Sequence, residues 1–497
     1  MATTSWGEWS RSAWTRHLPD AADPFAYVAG LGEGTIHGLA HATAMSDPDR
    51  PAVDIGGAEL THGELDVTAA RVSGWLSKRI APGDRVLLAG ASSFDWMAGY
   101  LGTLRAGGVA VLANPAYTKT ELDQLIGAAE PAIVFTEQDS APFSGEPEPW
   151  IDRGAPDSMA LLTFTSGTTG APKGVPLTHR QLLTSIRGAM AAWRWSKDEV
   201  LVHALPVFHQ HGLGGVHATL IAGSRLHLLP HFTPEELIGT IESANATVVF
   251  AVPTMYQRLG AREPSRNRLR LCVCGSSALS RAVAEGARHV LGQVPLVRYG
   301  TTETGLDTSH VYADSRDLDL AETVGLPLPG VEVRLAEDGE IQVRGPQVFG
   351  GYWRSQEETQ LAFTADGWFR TGDIGRIEEA SGHLVIQGRI KEIIITGGLK
   401  VHPREVELAL EKHPNVAEAA VAGVSSETWG EQVTAWVVIK PETAFDEAAL
   451  VEHARSLLAP YKCPKQVFRL DALPRNAVGK IERRKLEAPQ AADRKEG

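Results

Sequence analysis

Cysteine is scarce in this chain: there are three in 497 residues, Cys272, Cys274 and Cys463. They give no disulfide framework, and Cys272-Val-Cys274 lies in an apolar run that reads as buried strand rather than as a metal site. Long apolar runs are also missing. No stretch is long enough to span a bilayer, so membrane insertion is not expected. The start, Met-Ala-Thr-Thr-Ser-Trp-Gly-Glu-Trp, lacks a charged segment followed by an apolar core, so a cytoplasmic protein without a signal peptide is expected. Positive charge is short as well. Lys and Arg number 47 against 60 Asp and Glu, a formal charge of −13, which argues against nucleic acid as the main partner. An anionic ligand would need a local basic focus.

What is present, 43% hydrophobic and 22% charged residues, is ordinary for a globular protein, and 497 residues exceed what one core organises. At least two domains are expected. Residues 1–35 are rich in Trp and read as irregular. From Pro51 strands and helices alternate: strand at 85–89, helix at 94–105, strand at 109–112, helix at 118–128, strand at 132–135. After 179 the alternation resumes, with a helix at 179–193 and strands at 200–205, 247–253 and 269–275. That order implies parallel sheets covered on both faces. From Gly325 short alternating strands suggest an antiparallel, β-rich subdomain. The last hundred residues form a small α+β unit. The fold class expected is α/β: a large N-terminal domain of parallel α/β sheets with a β-rich subdomain, then a small, mobile α+β C-terminal domain.

The most informative stretch is Thr163-Phe-Thr-Ser-Gly-Thr-Thr-Gly-Ala-Pro-Lys-Gly-Val175. Thr165, Ser166, Gly167, Thr168, Thr169 and Gly170, followed by Lys173, suit a loop wrapped around a polyphosphate. Glycines let backbone approach closely, hydroxyls donate to phosphate oxygens, and the ammonium balances charge. Apolar residues on both sides read as strands, so the loop is hairpin-like. It is no P-loop, which needs Gly-Lys-Ser/Thr entering a helix. A flexible linker is the alternative, and buried flanking strands do not suit one. Farther on, His209 stands just past a strand end, where α/β proteins place ligand contacts; taken alone, such a His is more often structural.

The segment Ser166-Gly-Thr-Thr-Gly-Ala-Pro-Lys173-Gly resembles the signature loop of the adenylate-forming superfamily, which includes acyl-CoA synthetases, luciferases and peptide-synthetase adenylation domains. Pro206-Val-Phe-His209-Gln-His-Gly resembles that family's segment beside the acyl site, and Gly275-Ser-Ser-Ala-Leu its small-residue turn against adenine. Tyr299-Gly-Thr-Thr302-Glu303 resembles its strand-to-loop motif: the resemblance implies Tyr299 stacked on the purine, Thr302 on the α-phosphate and Glu303 as a ligand of Mg²⁺. It further implies that Asp373 accepts the ribose hydroxyls, that Arg389 contacts the ribose, that Lys391 is a hinge, and that Lys480 in Pro474-Arg-Asn-Ala-Val-Gly-Lys480 is the catalytic lysine. On this basis residues 1–390 form the N-terminal domain and 391–497 the C-terminal one.

The implied reaction uses ATP, Mg²⁺ and CoA. A small-molecule carboxylate and ATP give an acyl-adenylate and pyrophosphate; CoA thiol then displaces AMP, after the small domain has rotated about Lys391. Arg298, just before Tyr299, and the runs Trp193-Arg-Trp-Ser-Lys-Asp-Glu-Val and Pro253-Thr-Met-Tyr-Gln-Arg258-Leu resemble malonyl-CoA synthetases. A guanidinium at Arg298 can pair with a second carboxylate bidentately. The alternative is an ion pair with Asp307, and Arg258 is equally open to a structural role. Departures from the malonyl type include Thr301, where Met is usual, and Ile394-Ile-Thr-Gly-Gly. Malonate or a substituted malonate is the expected acid, a short or medium monocarboxylate the runner-up. Other readings are loading of a carrier protein, a luciferase-type oxygenase, or a nucleotide-binding relic without activity.

Overall fold

In the computed structural model, which describes residues 6–18, 23–136, 141–144, 146–147, 153–165, 173–266, 269–314, 316–426, 428–476 and 479–486, the chain divides into two compact units. Met1–Arg334 with Gln342–Thr371 is the first, and Leu335–Ile341 with the chain from Gly372 on is the second. Lys391 lies inside the second unit.

The first unit holds two sheets built from the apolar runs seen in the sequence. One has five strands, in the order Ile133–Thr136, Arg85–Ala89, Val109–Leu112, Met159–Thr165, Lys173–Thr178. The first four run parallel and the last antiparallel. The other has nine strands. Its middle is parallel, in the order Leu296–Tyr299, Leu271–Cys274, Val248–Ala251, Val200–His203, Arg225–Leu228, Pro51–Ile55. Short antiparallel strands close both edges. Strands such as Val248–Ala251 and Leu271–Cys274 are buried throughout, as strands covered by helices on both faces must be. Cys272 and Cys274 are in that core, where burial pushes both thiols up, in keeping with a structural role.

Residues 1–35 depart from expectation. Trp6–His17 and Pro24–Leu31 are helices rather than irregular chain. Trp14 is buried and its indole Nε1 donates to the Val331 carbonyl at 2.9 Å, while Ala13 packs with Val311 and Leu326. The first helix buries Ser10, Ala13, Trp14 and His17, a helical spacing, against partners such as Val331, 317 positions from Trp14.

The second unit carries a five-stranded sheet, Leu399–Val401, Ile394–Thr396, Gly430–Ile439, Val416–Ser426, with Gln466–Arg469 also paired to Gly430–Ile439. Helices Pro403–Glu411 and Glu447–Leu457 supply Val406, Leu410, Leu450 and Ala454 to its core, an α+β arrangement as expected.

Candidate active site

The phosphate-loop hairpin forms as the apolar flanks require. Strand Met159–Thr165 pairs antiparallel with Lys173–Thr178, and Thr165 faces Lys173 across the last rung. Ser166, Gly167, Thr168, Thr169 and Gly170 lie outside the described residues. Lys173 Nζ is 2.8 Å from Glu358 Oε2 and 5.2 Å from the centre of the Tyr352 ring.

The carboxyl ends of the parallel strands bring the next group together. His209 caps the helix Gln210–Ala222, its Nδ1 accepting from the His211 amide at 3.5 Å. Gln210 Nε2 donates to the Thr302 carbonyl at 2.8 Å, tying that helix to the turn after Tyr299. Within the turn the Thr301 amide donates to Thr304 Oγ1 at 3.1 Å, and Thr304 donates to Asp307 Oδ2 at 2.6 Å. The Tyr352 hydroxyl donates to Glu303 Oε1 at 2.9 Å. Burial and the neighbouring carboxylates of Glu303 and Glu358 push the Tyr352 phenol up, so it remains a donor.

Arg298 is 9% exposed. It lines a partly open pocket, with Ser185, Gln210 and His211 among the polar walls and Ile186, Leu213 and Phe250 among the apolar ones. Its Nε has no hydrogen-bond partner among the described residues. Asp307 is not the expected salt-bridge partner: its oxygens accept from Thr304 and from Gln347 Nε2, and no described carboxylate lies within 4.0 Å of the guanidinium. Burial draws Arg298 down to about 10, with Cys274 and Asp307 acting the other way, so it is cationic at neutral pH. The same burial, helped by Arg298, keeps His211 well below its ordinary value and neutral.

Gly275 is where the structure adds to the sequence reading. Parallel pairing of Cys274 with Val297 sets Gly275 beside Arg298, and a Cβ on Gly275 would lie 2.5 Å from Arg298 Nε. In this structure the guanidinium lies against the bare face expected to admit adenine. Arg258, on the helix Pro253–Leu259, is exposed, lies over the Phe232 ring at 4.8 Å, and is not among the residues lining the Arg298 pocket.

In the second unit Asp373 and Arg389 face one another across paired strands, with Arg389 Nε 3.0 Å from Asp373 Oδ1. The two side chains assigned to the ribose are thus adjacent. Lys391 sits in a short helical turn, Ile390–Glu392. The Lys480 backbone is held at both ends: its amide donates to Asn476 Oδ1 at 3.0 Å, and its carbonyl accepts from the Asn476 amide at 2.9 Å. Arg475 donates to the Gly479 carbonyl at 2.7 Å and to Glu418 on the strand Val416–Ser426. Sequence reasoning missed Tyr352, Glu358, Gln210, His211 and Arg475 as parts of these arrangements. Gln210, His211 and Arg475 lie inside motifs quoted for their neighbours; Tyr352, in Gly350-Gly-Tyr-Trp, gives no periodic signal.

Among the described residues no group of three or more His, Cys, Asp or Glu is placed to hold a metal by itself. A single carboxylate such as Glu303 suits magnesium, which keeps waters and takes phosphate oxygens for its remaining positions.

The profile of the AMP-binding enzyme family matches residues 40–353, and that of the AMP-binding enzyme C-terminal domain matches residues 405–480. Human malonate–CoA ligase ACSF3, mitochondrial, is 32% identical over 478 residues, covering 81% of this chain and 82% of that protein. The mouse protein of the same name is 36% identical over 386 residues, covering 68% of this chain and 64% of that one, so the matched part spans just under two thirds of that relative. Among solved structures, ATP-bound MatB from Rhodopseudomonas palustris superposes with a TM-score of 0.85 at 35% identity, covering 91% of this chain and 98% of that one. With the profile spanning most of the first unit and the fold matching along nearly the whole chain, this protein belongs to the AMP-binding enzyme family.

Proposed function

We propose that the protein is an AMP-forming acyl-CoA synthetase that activates malonate or a substituted malonate as its adenylate and passes the acyl group to CoA. The observation that carries the choice of acid is Arg298, a buried cation with no described carboxylate within 4.0 Å, on the wall of a pocket. An unpaired buried charge is costly, and a second carboxylate on the substrate would supply the missing partner. Relatives named malonate–CoA ligases support the same reading.

A carboxylate is already a nucleophile, so the chain's task is to bring it against a triphosphate of like charge. Lys173 and the hydroxyls from Thr165 to Thr169 take the phosphates, Tyr299 the purine, Thr302 the α-phosphate, and Asp373 with Arg389 the ribose. His209 and Arg298 orient the acid, Gly275 leaves room beside the nucleotide, and Lys480 compensates charge between acid and α-phosphate. Bound magnesium supplies further charge compensation, with Glu303 as its ligand. Lys391 is the proposed pivot for exchanging Lys480 against the CoA thiol. A cytoplasmic location is part of the proposal, although the two ACSF3 relatives carry mitochondrial names.

A monocarboxylate is favoured by one observation of its own, the apolar wall of Ile186, Leu213 and Phe250. Pyrophosphate release over malonate, methylmalonate, acetate, butyrate, octanoate and aryl acids separates the two. Malonates should lead; a protein that ignores them and turns over octanoate has the second function. CoA tested against a carrier protein as acceptor decides the other half-reaction.

A further inference from the structure

The strand that starts at Lys173 and the turn that carries Glu303 are far apart in sequence, and one short segment, residues 349–353, is bonded to both. The Phe349 amide donates to the Glu303 carbonyl, and the Trp353 amide donates to the Gly174 carbonyl, each at 2.8 Å. Between these anchors the Tyr352 hydroxyl reaches Glu303 Oε1 at 2.9 Å, while Lys173 Nζ lies 5.2 Å from the same tyrosine's ring centre. The segment itself is fixed. Phe349 packs edge-on to Tyr352 at 4.9 Å, and the Tyr352 amide donates to Thr359 Oγ1 at 2.9 Å. Thr359 shares the helix Gln356–Ala362 with Glu358, the partner of Lys173. Gly174 is bare where Trp353 crosses it, since a Cβ there would stand 2.8 Å from Trp353 Cβ.

We propose that Tyr352 is a positioning residue for the nucleotide site, holding the Glu303 carboxylate in one orientation and setting its distance from Lys173. This rests on the reading that Glu303 serves the magnesium of MgATP. A carboxylate whose Oε1 is occupied by a phenol cannot rotate freely, so Oε2 presents to a ligand in one direction. The aromatic ring gives Lys173 a second favourable contact besides Glu358. The two groups that meet opposite parts of a metal-bound polyphosphate are thereby referenced to one side chain.

The test is ATP binding by calorimetry over a magnesium series, with Tyr352→Phe, which keeps the ring and removes only the hydroxyl. The magnesium concentration for half-maximal binding should rise about tenfold, the worth of one hydrogen bond to a charged group. Pyrophosphate release at saturating magnesium should stay within about threefold of wild type, and the thermal midpoint without ligand should be unchanged. Glu303→Gln should raise the magnesium requirement too, and the double variant should add little to it, because both changes remove the same arrangement. A Tyr352→Phe protein with the wild-type magnesium requirement overturns the inference, as does full additivity with Glu303→Gln. Wild-type protein that binds ATP equally well without magnesium removes the reading beneath the inference, and the inference with it.

Discussion

Replacing Arg298 by Met should make the protein more stable and less useful. The guanidinium is buried, its Nε lacks a partner among the described residues, and burial brings it from the ordinary 12.5 to about 10. At about 1.4 kcal/mol for each tenfold change in proton affinity, keeping the charge there costs about 3 kcal/mol. Methionine fills a similar volume without that cost, so the thermal midpoint of Arg298→Met should rise by on the order of 5 °C. Malonate should show the reverse dependence. At a hundredfold excess over its Kd it should stabilise wild type by about 2.7 kcal/mol and the variant by almost nothing. In pyrophosphate-release assays kcat/KM for malonate should fall by on the order of 10²–10³, the usual loss when one half of a buried charge pair is removed, while butyrate improves. Differential scanning fluorimetry with and without malonate measures the first two effects. A variant that melts below wild type, or that still turns over malonate at the wild-type rate, would refute the argument that the pocket stores an unpaired charge for its substrate.

The remaining expectations concern Lys480 and the buried histidines. Lys480→Ala should abolish adenylate formation and still convert supplied acyl-adenylate to thioester; equal loss of both half-reactions would count against alternation of the small domain. Lys391→Pro should do the opposite, and unimpaired thioester formation in that variant would remove Lys391 as the pivot. Glu418→Gln, which frees Arg475 from its anchor, should slow adenylation by about tenfold and leave the thioester half untouched; a matching loss in both halves would mean a general fold defect. Burial lowers His203 and His217 to about 3, and His211 well below its ordinary value, so the folded chain refuses protons that the unfolded chain takes up below about pH 6.5. Stability therefore falls with pH over that window, by about 1.4 kcal/mol per pH unit for each histidine. Urea midpoints at pH 5 and pH 7 should show it, and His203→Leu should reduce the slope; an unchanged slope would contradict the burial argument.

The parts of the fold legible in the sequence were those with local periodicity. The strand at 85–89 and the helix at 94–105 fall on the expected residues because a short, continuously apolar run and a Ser93 cap specify them from within. The phosphate hairpin was equally readable, since two apolar strands must pair if the glycine-rich stretch between them is a loop. The first two helices were not. The first buries Ser10, Ala13, Trp14 and His17, a helical spacing that is hard to read as an apolar stripe because Ser10 and His17 are polar. The site divides in the same way. Lys173, Glu303 and Arg298 announce themselves by type and motif. Whether Arg298 has a partner depends on which strand lies next to it, and that comes from the pairing of Cys274 with Val297. Tyr352 was invisible because its value lies in reaching a carboxylate 49 positions away.

The Trp14 indole that closes on the Val331 carbonyl spans 317 positions, and Ser10 reaches Val333 across 323. A chain emerging from a ribosome at about 5–20 residues per second leaves that first helix waiting roughly 15 to 60 seconds for its seat to be made. During that interval its tryptophans face water or whatever binds nascent apolar segments. The first unit can therefore be completed only after most of it has been synthesised, and slower elongation before residue 331 would lengthen the exposure without altering a single contact of the finished protein.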